Sequence, residues 1–70
     1  MNRSVFHLAE IAGGWRLLDN GQPVFWFPEK AKALEIAKIM ADARNMFRGI
    51  PTYVHAPNEQ GAMEQIAAYE

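Results

Sequence analysis

Val24-Phe25-Trp26-Phe27-Pro28 is the stretch on which the fold turns. Four large apolar residues in a row are stopped by a proline. In a strand, alternate residues point to opposite faces, so Val24 and Trp26 share one side and Phe25 and Phe27 the other. Just upstream, Trp15-Arg16-Leu17-Leu18 is a second short apolar run, and Asp19-Asn20-Gly21 lies between the two. Asn-Gly suits the two positive-φ positions of a type I′ turn, so the runs form a hairpin. A two-residue Asn20-Gly21 loop sets Leu17 opposite Val24 and Trp15 opposite Trp26. That register predicts one wholly apolar face of Trp15, Leu17, Val24 and Trp26, with Arg16, Leu18, Phe25 and Phe27 on the reverse. Pro23 lacks a backbone N–H, which marks the second arm of the hairpin as a sheet edge.

Working outward, Ser4 to Ile11 reads as a first strand, with Val5, His7 and Ala9 on one side and Phe6 and Leu8 on the other. Gly13-Gly14 breaks it. Pro28 opens a helix that runs to about Arg48, where Gly49 and Pro51 end it. Ala33, Ile36, Ala37, Met40, Ala43 and Phe47 form its apolar stripe, while Glu35, Lys38, Asp42 and Asn45 lie opposite, with Lys38 in reach of both acids. Thr52-Tyr53-Val54-His55 is a fourth strand. The tail from Ala62 to Glu70 reads two ways: its Ala, Met, Glu and Gln have helical propensity, whereas Met63, Gln65, Ala67 and Tyr69 alternate as in a strand; a short strand near residues 62–66 with a frayed end is preferred. The fold class is α+β over residues 1–70 as a single domain: an antiparallel three-stranded meander, one long amphipathic helix and a fourth strand, with a short fifth strand if the tail takes that form. The expected spatial order of the first four strands is 3-2-1-4, since the helix carries the chain across to strand one. The expected core sets Trp15, Leu17, Val24 and Trp26 against Ile36, Met40, Ala43 and Phe47.

Composition narrows the function. The chain has no cysteine, so neither a disulfide framework nor a thiolate metal site is open to it. Seven basic and eight acidic residues give a formal charge of −1, which lacks the basic footprint of a nucleic-acid binder. No segment has the roughly 18 apolar residues of a membrane span. Residues 1–4 lead straight into strand pattern with no signal-peptide core. A cytoplasmic location, away from membranes, is the expectation.

Several short motifs carry a resemblance. Val5-Phe6-His7 puts a histidine in the first strand, Gly14-Trp15 opens the second, residues 33–43 make an alanine-rich helix, and Tyr53-Val54-His55 is followed by Gly61. With Tyr69 near the end, the chain resembles the small bacterial domain-of-unknown-function family catalogued as 2188. The Glu59-Gln60-Gly61 turn and the Gly49-Ile50-Pro51 link depart from that family's usual pattern. The resemblance implies the α+β fold and no catalysis.

The residues assign no catalytic, cofactor-binding or metal-ligating role, and no cofactor. His7 and His55 are the nearest to a polar site, because strands one and four would bring the imidazoles together if they are neighbours. Two ligands do not close a metal site. Glu35 and Asp42 sit on a solvated helix face without the cleft that acid–base pairs need. Ser4 and Thr52 have no His-acid constellation around them. The expected functional surface is the reverse of the hairpin, Arg16, Leu18, Phe25 and Phe27, and the expected activity is protein interaction or self-association as a homodimer. The alternative is nucleic-acid binding by an exposed three-stranded sheet, similar in outline to plant AP2 and phage-integrase domains, with Phe25 and Phe27 as stacking platforms. Charge disfavours it, since Arg16 is the only base on strands two and three.

Overall fold

The computed structural model describes residues 3–70, so the reading of Met1 and Asn2 lies outside the described residues. Three strands, β1 (Ser4–Ile11), β2 (Gly14–Asp19) and β3 (Gln22–Phe27), lead into one helix, α1 (Lys30–Arg48). Two more strands follow, β4 (Thr52–Pro57) and β5 (Met63–Tyr69). They form one mixed sheet in the order β3-β2-β1-β4-β5. The meander is antiparallel, β4 runs parallel to β1, and β5 returns antiparallel on β4. The order 3-2-1-4 and the edge position of β3 match the sequence expectation. The tail is a strand, longer than residues 62–66.

Asn20 and Gly21 both have positive φ, 51° and 88°, as the two-residue hairpin turn requires. Asp19 therefore opposes Gln22 and Leu18 opposes Pro23. The register then shifts. Leu17 pairs with Phe25, Arg16 with Trp26 and Trp15 with Phe27, leaving Val24 as an extra residue in β3. A bulge of this kind reverses the facing of everything beyond it. Phe25 and Phe27, expected on the reverse face with Arg16 and Leu18, therefore lie on the helix side with Trp15 and Leu17. Val24 and Trp26 leave the expected core and are 40% and 47% exposed. The hairpin turn alone could not reveal the shift, because the extra residue comes after it.

The core that forms is Phe6, Leu8 and Leu17 with Val54 and Ala56, closed by Ala33, Ala37 and Ala41 of α1. The bulk comes from β1 rather than from the tryptophans. Alanines at i, i+4 and i+8 let the helix lie close to the sheet. Ile36 and Met40 flank that line half-buried and pack against the core, as does Phe27. Phe47, expected in the core, is 80% exposed, and Ala43 is half-buried. Nineteen helical residues span about 28 Å, against about 20–26 Å for strands of six to eight residues, so the helix is at least as long as the sheet it covers.

The helix begins at Lys30 rather than Pro28, with Glu29 at its cap and no acidic residue in its first turn. Gly49 ends it in the left-handed conformation. Glu35 pairs with Lys32 at 3.4 Å, in place of the expected Lys38. Both partners are exposed, so the pair is worth a few tenths of a kcal/mol at most.

Gly14 is required by a close approach. The indole of Trp26 crosses β2 and donates from Nε1 to the carbonyl of Ile11 at 3.2 Å. A Cβ on Gly14 would overlap that ring and come within 2.6 Å of the Phe27 carbonyl oxygen. Gly14→Ala is expected to destabilise the fold by about 1–2 kcal/mol through overpacking. Chemical denaturation followed by tryptophan fluorescence reads it, and an unchanged midpoint would contradict the stacking.

Candidate interaction surface

The helix covers one face of the sheet, and among the described residues no other element covers the second. Strand registry defines what that second face carries. Pro23 opposes Leu18, Leu18 opposes His7, His7 lies beside His55, and His55 opposes Gln65. These five residues form one row across all five strands. Trp26, Arg16 and Ala9 form a row on one side of it, and Val5, Tyr53 and Ala68 form a row on the other. An antiparallel sheet with one wet face normally alternates apolar-in and polar-out. Here Val5, Ala9, Leu18 and Trp26 take outer positions among Arg16, Tyr53, Gln65 and two histidines, so the face is more apolar than that pattern.

Of the four residues expected on this surface, Arg16 and Leu18 are there. Phe25 and Phe27 are not. Their rings lie 6.3 Å apart on the helix side, Phe25 half in solvent and Phe27 packed against the core. Trp26 takes their place. His7 and His55 are neighbours, because β4 lies in register with β1. Both are half-buried, and His55 Nε2 is 3.4 Å from Gln65 Oε1. Among the described residues no three His, Cys, Asp or Glu side chains gather where they could hold a metal.

One corner of the face is charged. Arg3 lies over the Tyr53 ring at 5.1 Å, and the Tyr53 hydroxyl donates to Glu70 Oε2 at 2.7 Å. That bond to a carboxylate holds the phenol proton and raises its pKa above the usual tyrosine value.

Sequence reasoning missed a network on the helix side. Arg44 Nη1 and Nη2 donate to the two Asp19 oxygens at 2.7 and 2.8 Å, and Nη1 also donates to Ser4 Oγ at 2.6 Å. Its guanidinium covers the Phe6 ring at 4.6 Å. Bidentate pairing to a carboxylate is the strongest arrangement open to arginine. It pulls the Asp19 pKa below the ordinary carboxylate value, against the opposing effect of burial. The signal was present: Arg44 continues the line of Ala37 and Ala41, and a cation on a buried line must find a partner. Arg44, Asp19 and Ser4 also form the polar wall of an open depression of about 610 Å³. Their polar groups bond one another, and no buried side-chain nitrogen or oxygen among the described residues lacks a partner.

The chain matches no family model, no curated protein and no solved structure. Among the described residues, no helix is long and apolar enough to cross a membrane.

Proposed function

We propose that this chain is a small non-enzymatic interaction domain that associates with protein, and first of all with itself, through the helix-free face of its sheet. The observation that carries the reading is the apolar outer face itself, with Val5, Leu18 and Trp26 where a solvated sheet would place polar residues. The groups with chemical potential support it from the other side. Asp19 and Ser4 are engaged by Arg44, and His55 lies beside Gln65. The resemblance to a family without assigned activity is consistent with this reading. Nucleic acid fits less well. The basic residues of the face are Arg16 and, at one corner, Arg3, and the expected phenylalanine platforms face the helix. Charge contacts to phosphate supply most non-specific nucleic-acid affinity.

Sedimentation equilibrium over a range of concentrations, with anisotropy of labelled single- and double-stranded DNA at low and moderate salt, tests the reading. Concentration-dependent association is expected, weakened at least about tenfold by Leu18→Glu, since a buried unpaired carboxylate costs well over 1.4 kcal/mol. A monomer that binds DNA with a steep salt dependence would overturn it.

A further inference from the structure

We infer that two copies of the chain stack sheet on sheet about a two-fold axis near His7, and that protonation of His7 and His55 separates them. This rests on the reading of the helix-free face given above. The first argument is area. Five strands at about 4.8 Å spacing and six residues at about 3.3 Å make a face of roughly 24 by 20 Å. Two such faces remove about 1,000 Å² in projection, the size at which a specific interface begins. Only superposition of the whole face reaches it, which sets the centre of the face near the axis. Registry identifies that centre: β1 is the middle strand of five, and His7 lies in the middle row with Leu18 on one side and His55 on the other. In a two-fold interface, residues near the axis meet their own copies. His7 therefore faces the His7 and His55 of the second copy, across sheets about 10 Å apart.

The surroundings decide what a proton does there. Along β1 the imidazole of His7 has Val5 and Ala9 as same-face neighbours. From β2 it faces Leu18 and, one row away, Arg16. From β4 come His55 and Tyr53, from β5 Gln65, and from β3 Pro23 and Trp26. Glu70, bonded to Tyr53, is a carboxylate at the corner of this face, and Glu59 lies in the turn between β4 and β5. Glu10 pairs with Trp15, and Glu64 with Ala56, on the opposite side. The central row thus carries four imidazoles per pair of copies and no counter-charge. A neutral row can be desolvated at modest cost. A protonated one brings like charges together in a drying interface.

The experiment is sedimentation equilibrium of the full chain at pH 7.5 and 5.5 in matched salt, with circular dichroism at both. Each imidazole that must stay neutral in the pair makes association weaker where protonation is favoured, because a charged ring is costlier to desolvate than a neutral one. An increase in the dissociation constant of at least about tenfold at pH 5.5 is expected, with unchanged secondary structure. His7→Gln with His55→Gln should flatten the dependence, and either single variant serves if the double does not fold. Leu18→Glu should abolish association, whereas Ile66→Lys on edge strand β5 should leave it. A dimer with the same affinity at both pH values would overturn this inference and leave the reading of the face standing. A monomer at every pH would overturn both, as would a dimer lost in the Ile66 variant but not in the Leu18 variant.

Discussion

Phe6→Ala is expected to remove about 3–5 kcal/mol of folding stability. Phe6 is fully buried in the central strand, flanked by Asp19 of β2 and Val54 of β4. The alanines of α1 present methyl groups and no longer side chain to fill the space its ring would leave. A cavity there stays open, so the loss adds a cavity term to the lost transfer energy. The ring also supports the Arg44 guanidinium, whose placement fixes Asp19 and Ser4. A chain of this size holds about 4–10 kcal/mol in total, so the variant should be largely unfolded or melt far below the parent. Urea denaturation followed by circular dichroism measures it. A loss under about 1 kcal/mol would mean that the core lies elsewhere. Phe6→Leu, which keeps most of the volume, should cost about 1–2 kcal/mol.

Arg44→Met is expected to cost about 2–3 kcal/mol at neutral pH, because it strands the Asp19 carboxylate and the Ser4 hydroxyl against the helix. The aliphatic replacement keeps contact with Phe6 and so isolates the polar loss. In a domain of this size that corresponds to a melting temperature lower by roughly 10–20 °C. The effect has a definite pH sign. Arg44 lowers the Asp19 pKa in the folded state, so the folded protein holds that proton less tightly than the unfolded chain does. The stabilisation is fully present above the unfolded value near 4 and fades as pH falls through the lower folded value. Denaturation curves of parent and variant should therefore converge between about pH 4 and pH 2. A gap that stayed constant down to pH 2 would remove the ion pair as its cause. Arg44→Lys should recover only part of the loss, since a single ammonium cannot bond both oxygens in parallel.

Much of the fold was legible because its signals are local. Asn20-Gly21 specified the hairpin, Pro23 the edge, Gly49 and Pro51 the end of the helix, and alternation in residues 4–11 the two sides of β1. The order of the first four strands followed from the edge and the crossover. The faces of β3 were not legible, because a bulge at Val24 depends on packing rather than on any residue in the turn. Phe25, Phe27 and Trp26 were placed on the wrong side by that one extra residue, while Val24 keeps the helix side, at the rim of the Arg44 depression, and is exposed there. The helix stripe was offset for a related reason. Ala33 and Ala37 of the expected stripe are buried and Ile36 and Met40 pack against the core, but contact with a sheet already bearing Phe6, Leu8 and Leu17 selected Ala41 in place of Ala43 and Phe47. Of the candidate surface, Arg16 and Leu18 were placed correctly; that His7 and His55 share their face emerges only from the strand registry. Their neighbour Trp26 was misplaced, because its position is set by the room above Gly14.

Both edge strands carry the same irregularity. Val24 is the extra residue of β3, and Ile66 is the extra residue of β5, where Val54 pairs with Ala67 but His55 with Gln65. A flat edge would template a further strand, and that strand another, without limit. Each border is instead broken near its middle, and β3 lacks an additional donor at Pro23. Ribbon-like growth from either margin is interrupted within a few residues of where it would begin. An isologous pairing of faces, by contrast, uses up its own surface and stops at two. The bulges thus oppose edge-to-edge growth of the sheet, and the proposed pairing of faces would not depend on either margin.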